Sequence, residues 1–409
     1  MSTRRYALRL LPLAGLVSLL AGCRAQPSAA RVASSAAAAE PFVSLPNALH
    51  GARLPDQIAD STFWRMVREF SEPGGYFQSE NFVSNEMGLQ EVVSRLRPSI
   101  APGSVYLGVG PEQNFTYFAS LKPRIAFIVD IRRQNLLQHL WYKAVFELSP
   151  TRAEFLSRLF ARPIAKEAFA TLGASPPSPA LIALLERTAP DSVLFNRTFT
   201  DVRRQLLTVH GFKLDSSDLA TLAYVDSVFY FSGPSLNYSS GSNNYSGAGS
   251  GRRMPTFSLI ATTTDENGNN IGFLGSDSAY RYVRDMQRRN LIIPVTGNFS
   301  GPHALRRVGA WMAERGARLG TFYVSNVEQY LFRSGDDWRR FYESVGTIPS
   351  DSNSRFIRSM TGGMRATTNT MNYGPVIAMT QLISPVGSLV EAVRAGQIFG
   401  YPDLMNWSK

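Results

Sequence analysis

The chain has 409 residues, 44% of them hydrophobic, and a formal net charge of +11 at pH 7. This length suffices for one large α/β domain or for a core domain with an insertion. Only five of the 42 basic residues are lysine, and no dense basic run is interleaved with aromatic residues, so nucleic acid is not an expected partner.

The first 22 residues have the pattern of an export signal. Three arginines within the first nine residues precede an almost wholly apolar run, 10–20, which is too short to span a bilayer as a helix. The run ends at Leu20-Ala21-Gly22-Cys23, which resembles the lipobox of bacterial lipoproteins. The resemblance implies cleavage before Cys23 and acyl chains such as palmitate on that cysteine, anchoring the protein to the periplasmic face of a membrane in the bacterial cell envelope. The adjacent Arg4 and Arg5 leave the Sec and twin-arginine export routes both open.

Residues 23–55 are predicted to form a disordered tether. After Cys23, the only cysteine, the chain is rich in alanine and serine and has almost no large apolar residues until about residue 41. About 18 such residues reach roughly 60 Å when fully extended. We therefore expect residues 56–409 to work near a membrane without entering it.

The first elements of the folded part are two helices separated by an aromatic loop. Periodicity predicts a helix over 61–70, followed by a break at the proline and glycines of 73–75. Residues 76–86 are rich in aromatic and amide side chains, and a second helix is predicted from a cap at Ser84 to Arg97. Two interpretations of the loop stay open: it lies beside a ligand site at the end of the first strand, or it is a packed connector.

Residues 105–130 combine a strand, a glycine turn, a helix start and a second strand that ends in an acid. The short apolar run is typical of a parallel strand buried on both faces, and Gly108 and Gly110 allow a sharp turn and close approach of a ligand. Asp130 lies 20 positions beyond Gly110, which suits hydrogen bonds to two ribose hydroxyls. We therefore predict a cofactor site at these residues; the other interpretation is an ordinary turn with a surface aspartate.

The turn departs from the usual nucleotide-binding patterns, which have glycine where this chain has Glu112 or Gln113. A carboxylate at position 112 lies near the positive end of a helix but would repel a phosphate. We therefore predict that Glu112 and Asn114 contact an amino group or a sugar of the ligand rather than a pyrophosphate.

The middle of the chain is predicted to be mostly helical. A helix over 134–148 has apolar residues on more than one face, so another segment must cover it. Residues 150–222 are typical of several short helices, which we interpret as a helical insertion or cap. A buried strand is predicted at 228–231, followed by a flexible Gly/Ser/Asn loop, 232–255, which acts as a mobile lid or is a disordered excursion.

Two further alternations of helix and strand follow. Helices over 277–289 and 302–316 precede strands at 291–295 and 319–324. Strands alternating with helices of this length indicate a doubly wound, mostly parallel sheet with right-handed crossovers. The predicted fold class is therefore α/β, with a helical insertion.

A second glycine-bearing turn supplies the candidate catalytic residues. Asn298 would bind a substrate heteroatom and His303 would act as a general base, or both are surface features of a helix start. The four histidines lack metal-ligand spacing, so we expect no metal. The sequence also has no GxSxG elbow and no Walker-type lysine loop.

The order of glycine turn, helix, acid-ended strand and later strand–helix alternations resembles the class I S-adenosylmethionine-dependent methyltransferases. From about residue 60 the chain also resembles a family of uncharacterised bacterial proteins with that core. The resemblance implies a Rossmann-like sheet of seven strands, with S-adenosylmethionine over Gly108 and Gly110 and its ribose on Asp130. Leu107 and Gln113 depart from the methyltransferase pattern.

These observations lead to one hypothesis and two alternatives. The hypothesis is a lipid-anchored envelope protein whose methyltransferase-like domain binds a nucleoside-like or other small polar ligand; whether it transfers a methyl group from S-adenosylmethionine stays open. The first alternative is a non-enzymatic envelope binding or scaffold protein with a vestigial cofactor site, because S-adenosylmethionine is made in the cytoplasm. The second is a nicotinamide dinucleotide enzyme in which Arg132 and Arg133 hold a phosphate. The sequence leaves the substrate and the oligomeric state open.

Overall fold

A computed structural model describes residues 41–241, 254–361 and 379–408. The predicted signal peptide, Cys23, most of the predicted tether and the middle of the predicted loop lie outside these residues. The described helices include none that is both long enough and apolar enough to cross a bilayer.

The folded unit begins at Phe42, so the predicted end of the tether at residue 55 is too late. Val43 N donates to Asp285 Oδ2 at 2.7 Å, and Val43 O accepts from Arg289 Nη2 at 2.7 Å. The Arg289 guanidinium also lies 4.3 Å from the centre of the Phe42 ring. These contacts hold the start of the unit against a helix more than 200 positions away in the chain.

A six-stranded sheet forms the centre of the unit. Its strands are β1 (Val105–Gly108), β2 (Ile125–Asp130), β3 (Ile292–Thr296), β4 (Leu319–Ser325), β5 (Arg355–Thr361) and β6 (Met379–Pro385). The spatial order is β3-β2-β1-β4-β5-β6, and all neighbours are parallel except β5 and β6, which are antiparallel. The mixed α/β class with a mostly parallel sheet is confirmed, but the described residues contain six strands and not the seven that the resemblance implies.

Sixteen α-helices surround this sheet in the described part of the chain. They are α1 (Asp60–Phe70), α2 (Leu89–Leu96), α3 (Gln113–Leu121), α4 (Arg133–Glu147), α5 (Arg152–Phe160), α6 (Ala168–Leu172), α7 (Ser178–Arg187), α8 (Ser192–Arg204), α9 (Ser216–Ser232), α10 (Phe257–Thr262), α11 (Asp277–Arg288), α12 (Ala304–Glu314), α13 (Val327–Leu331), α14 (Asp337–Val345), α15 (Val386–Arg394) and α16 (Tyr401–Asn406). α1 and α4 pack on β3, and α4 and α12 pack on β2, which is why these two strands are buried along their whole length. β1, which lies between β2 and β4, is also fully buried. α5, α8 and α9 cover α4; α5, α8 and the first part of α9 lie in the segment 150–222 that was predicted as an insertion.

The strand predicted at 228–231 is wrong, because these residues belong to the end of α9. The side chain of Asp215 caps the start of this helix, and buried Leu222 and Phe229 lie on it at helical spacing. Phe229 packs on Trp141 of α4, with ring centres 4.6 Å apart. A four-residue apolar run fits a strand or a buried helix equally well, and here the residues before it decide in favour of the helix.

The second helix begins at Leu89 and not at the predicted cap, Ser84. Ser84 Oγ accepts from Glu86 N at 3.1 Å, and Ser84 N donates to Glu112 Oε1 at 3.1 Å. This local turn competes with a helix for the same backbone groups. Residues 76–88, called the aromatic loop below, therefore remain a loop beside the glycine turn.

Candidate functional site

A cavity of about 290 Å³ opens at the carboxyl ends of β1 to β4. Val109, Asp130, Asn298 and Ser325, which end or follow these four strands, all line it, and the aromatic loop adds Phe77. The chain order of the strands reverses between β1 and β4, and open α/β sheets bind ligands at such a switch point. The cavity therefore lies where this topology favours a ligand.

Gly110 is the glycine of the first turn that faces the cavity. Its φ of +78° lies in the left-handed region, which favours glycine. A Cβ at this position would lie only 2.8 Å from Gln113 Nε2. Glycine is therefore required at position 110 for two reasons: the turn needs a positive φ, and the side chain of Gln113 lies too close to where a Cβ would be. The Gln113 side chain also lines the cavity.

Gly108 and Asn114, both predicted to bind a cofactor, face the interior instead. Asn114 Nδ2 donates to the carbonyls of residues 109–111 at 3.0, 3.2 and 2.8 Å, and its Oδ1 accepts from Tyr106 OH at 2.9 Å. A Cβ on Gly108 would overlap Asn114 Oδ1. Neither residue lines the cavity, and together they hold the turn in place.

Glu112 lies behind the turn, so the structure does not support its predicted contact with a ligand in this cavity. Its Oε1 accepts from Ser84 N, and its buried Oε2 has no hydrogen-bond partner among the described residues. Burial raises the pKa of Glu112 to about 7, although the hydrogen bond from Ser84 acts in the opposite direction. Glu112 therefore fastens the aromatic loop to the glycine turn.

Asp130 lines the cavity, but its carboxylate already binds Arg132. Arg132 Nε donates to Oδ1 at 3.0 Å, Nη2 donates to Oδ2 at 2.8 Å, and the backbone N of Arg132 donates to Oδ1 at 2.9 Å. The remaining Nη1 donates to the carbonyls of Ser79 and Glu80 in the aromatic loop. A carboxylate has about four acceptor positions, so Asp130 keeps about one for a ligand, where the predicted pair of ribose hydroxyls needs two.

The two arginines after β2 do not form the predicted phosphate site. Arg132 is occupied by Asp130 and by two carbonyls. Arg133 binds Asp218 of α9 through two hydrogen bonds, of 2.7 and 2.6 Å. Because Asp218 is buried, this pair joins α9 to the start of α4 and serves the packing of the two helices.

The predicted catalytic pair, Asn298 and His303, is split by the structure. Asn298 lines the cavity, and its Oδ1 accepts from the Ser300 backbone N at 3.1 Å. The His303 ring faces away from the cavity, with Nε2 2.7 Å from the carbonyl oxygen of Glu69 in α1. Glu72 Oε1 accepts from His303 N at the start of α12. His303 is thus part of a helix start and does not reach a ligand in this cavity.

Glu86 is the cavity residue that the sequence interpretation missed. The side chain is only 1% exposed, and its carboxylate accepts three hydrogen bonds. Tyr323 OH and Ser325 Oγ donate to Oε1 at 2.6 Å each, and Gln381 Nε2 donates to Oε2 at 3.0 Å. The residue was interpreted as part of the first turn of a helix, and no local sequence signal pairs it with β4 or β6.

Two buried amide oxygens at the cavity have no hydrogen-bond partner among the described residues: Asn81 Oδ1 and Gln113 Oε1. Asn81 also has a φ of +48°, and Ser325 across the cavity has a φ of +50°. Backbone strain and unpaired buried acceptors are costly in a folded protein and cluster at ligand sites. The two unpaired oxygens favour a ligand that donates hydrogen bonds.

The charge in the cavity favours a cation over a phosphate. The charged residues among its described walls are Glu86, Asp130, Asp337 and Arg132; Arg132 neutralises Asp130, and Asp337 pairs with Arg340, which does not line the cavity. Six aromatic side chains complete the walls; they are Tyr76, Phe77, Tyr238, Phe299, Tyr323 and Tyr330. Carboxylates and aromatic faces attract positive charge, whereas a phosphate would meet a net negative wall. Among the described residues there is also no cluster of side chains that could hold a metal ion.

The comparison with protein families gives one result. The model of a domain of unknown function, DUF7790, matches residues 81–187 and 257–379, more than half of the chain. The chain belongs to this family. The expected membership in an uncharacterised family is therefore confirmed, and the DUF7790 segments contain Glu86, Gly110 and Asp130 of the cavity. No curated protein matches the chain.

Proposed function

We propose that this chain is a lipid-anchored envelope protein whose methyltransferase-like domain binds a nucleoside-like or other small polar ligand. The ligand proposal rests on one observation: Gly110 and Asp130 line the same cavity at the switch point of the sheet. The cavity volume of about 290 Å³ is close to the lower end of the usual range for small-molecule sites, roughly 300 to 1,000 Å³.

S-adenosylmethionine is the candidate that the resemblance to class I methyltransferases implies, and the reversal of strand order at the cavity supports a ligand of this kind. The negative and aromatic walls suit its sulfonium cation. The remaining acceptor position of Asp130 and the unpaired oxygens of Asn81 and Gln113 suit hydroxyl and amino groups. When bound, this cofactor supplies an activated methyl group, so the part of the chain's own residues would be to orient the ligand and exclude water.

A non-enzymatic binding protein with a vestigial cofactor site is the second candidate. The Asp130–Arg132 pair favours it, because the carboxylate that would hold a ribose is largely committed to the protein. The distinction between the two candidates is whether a nucleoside ligand uses Asp130.

Calorimetry on the folded unit from Phe42 onward tests the ligand proposal. We expect S-adenosylmethionine or its demethylated product to bind, and Asp130→Asn to weaken binding at least about tenfold through loss of a charge-assisted hydrogen bond. Asp218→Asn is a matched control, because Asp218 is also a buried partner of an arginine but does not line the cavity. Its affinity for the ligand should equal that of the wild type.

Three outcomes would count against parts of this proposal. Absence of binding by nucleosides favours the vestigial site. Binding that survives Asp130→Asn places the site elsewhere. Mass spectrometry of protein purified from the envelope is an independent test, because it identifies any ligand that stays bound. A bound ligand of another class would contradict the nucleoside proposal.

The lipid anchor on Cys23 is tested separately. Cells that express the full chain are grown with a palmitate analogue that carries an alkyne, and we expect the protein to become labelled. Cys23→Ser should remove the label, because Cys23 is the only thiol. Label that persists in Cys23→Ser would contradict the anchor.

A further inference from the structure

Glu86 is a buried acid whose described partners are all uncharged. Its three hydrogen bonds come from Tyr323, Ser325 and Gln381, and no described lysine or arginine forms an ion pair with it. A carboxylate has about four acceptor positions, so about one stays open on Oε2. Burying a negative charge without a counter-charge is costly, and a cation at the open acceptor position would offset that cost.

The end of β4 is shaped to hold this carboxylate. The pairing of β4 with β5 shifts register between Tyr323 and Ser325, and Ser325 has a φ of +50°. At this irregular strand end, the hydroxyls of Tyr323 and Ser325 both donate to Glu86 Oε1, at 2.6 Å each. Irregular strands and strained backbone of this kind persist where a site requires them.

Gln113 supplies a second, independent sign of a ligand. Its Nε2 donates to Val109 O at 3.0 Å and to Tyr323 OH at 3.3 Å, which in turn donates to Glu86. Its Oε1 is buried in the cavity wall without a described partner. An open carboxylate position and an unpaired amide oxygen thus belong to one connected network.

The walls near this network are aromatic. Phe77 and Tyr330 meet edge to face with ring centres 5.2 Å apart, and both line the cavity together with Tyr323. Arg132 follows the end of β2, and its guanidinium lies 5.8 Å from the centre of the Phe77 ring. Its positive charge is balanced by the Asp130 carboxylate, with which it forms an ion pair of 2.8 Å.

We propose that the β4 side of the cavity is a subsite for a primary ammonium group on an aromatic or alkyl body. Glu86 Oε2 and Gln113 Oε1 accept two of its N–H bonds, and the aromatic faces contact its body. The proposal uses the same cavity as the proposed function but does not depend on a nucleoside, so an arylalkyl amine bound alone is sufficient to support it.

Matched pairs of amine and alcohol test the subsite on the full-length protein in detergent. The probes are tyramine against 4-(2-hydroxyethyl)phenol, 2-phenylethylamine against 2-phenylethanol, and hexylamine against hexanol. We expect at least one amine to bind about tenfold or more tightly than its alcohol, because the alcohol can still donate to the carboxylate but cannot form an ion pair with it. Equal binding within every pair, or no binding by any amine, overturns the proposal.

Substitutions test whether the preference for amines over alcohols depends on Glu86. Glu86→Gln should abolish the difference between amine and alcohol, whereas Asp337→Asn should keep it, because Asp337 lines the cavity but already pairs with Arg340. Gln113→Leu, which keeps the Glu86 charge, should weaken amine binding even if Glu86→Gln fails to fold. An amine preference that survives in both variants overturns the subsite.

A parallel measurement of nucleoside binding distinguishes failure of the amine subsite from failure of the proposed function. If S-adenosylmethionine binds and no amine does, the amine subsite fails and the nucleoside proposal stands. If amines bind through Glu86 and nucleosides do not bind, the nucleoside proposal fails and the subsite stands.

Discussion

At the scale of single residues, Gly110 combines two requirements that can be measured apart. Its φ of +78° excludes most side chains, and a Cβ would lie 2.8 Å from Gln113 Nε2. We expect Gly110→Ala to lower the free energy of unfolding by about 1 to 3 kcal/mol and to weaken ligand binding by displacing Gln113. Urea unfolding and calorimetry measure the two effects.

Gly316→Ala is the matched control for this substitution. Gly316 has a φ of +62°, and nothing lies within 4 Å of the position of its Cβ, so the variant carries the backbone cost alone. If Gly110→Ala costs no more stability than Gly316→Ala and leaves ligand affinity unchanged, the close contact with Gln113 matters neither for stability nor for binding.

The sequence predicted the site residues whose positions follow from the backbone. Gly110 and Asp130 come at the ends of parallel strands, and such ends meet at one edge of a sheet. Asn114 turned out to face inward, because side-chain direction within a turn is not visible in the sequence. Glu86 was missed because its partner Tyr323 lies 237 positions away, and one sequence gives no signal for that pairing.

At the scale of elements, a buried ion pair holds the short helix α13 against β5. Arg358 Nε donates to Glu328 Oε2 at 2.7 Å, and the two side chains are 0% and 1% exposed. Tyr342 of α14 also donates to Glu328. α13 supplies Tyr330 and other residues to the cavity wall, so this pair positions part of the site.

Arg358→Met should therefore be strongly destabilising. It leaves the Glu328 carboxylate buried without its counter-charge, which costs about 3 to 5 kcal/mol in comparable pairs. Arg340→Met removes an exposed partner of Asp337 in α14 and should cost less than about 1 kcal/mol. Chemical unfolding of both variants measures the difference, and similar small losses would mean that the buried pair adds little.

Elements with an unambiguous period were predicted well, and those defined by side-chain hydrogen bonds were not. The helices α1 and α4 lie within one residue of their predicted bounds, and β1 and β2 lie within the predicted segment 105–130, with β2 ending at Asp130. α9 was missed at 228–231 because an apolar run of that length fits two structures. α2 starts late because Ser84 bonds to Glu86 and Glu112 instead of capping a helix.

At the scale of the whole molecule, the sequence indicated a mostly parallel sheet but not its strand order. The order depends on which strands pair across long connections, and residues 42–55 show the same limit, since Val43 binds Asp285 from 242 positions away. Long-range pairing also buries polar groups that no local pattern marks. Three of them have shifted pKa values that make the stability of the fold depend on pH between 5 and 8.

Burial shifts the pKa of these three groups. It raises the pKa of Glu112 and of Asp226 to about 7, against the hydrogen bonds from Ser84 and Trp141. It lowers the pKa of His139 to about 4, although the Gly110 carbonyl contact acts in the opposite direction. The two acids favour the fold when they are protonated, and His139 favours it when neutral.

The fold should therefore be more stable at pH 5 than at pH 8. The stability from Glu112 and Asp226 is complete below about pH 4 and is lost as the pH rises through 7, whereas the stability from neutral His139 is complete above about 6.5 and is lost as the pH falls through 4. Between pH 8 and pH 5 the two acids raise the free energy of unfolding and His139 lowers it, and the net increase is roughly 1 to 3 kcal/mol. In the double variant Glu112→Gln, Asp226→Asn only His139 remains, so stability should instead fall toward pH 5. Urea unfolding at both pH values measures the sign, and a wild type that is no more stable at pH 5 than at pH 8 would contradict the burial of these acids in their neutral form.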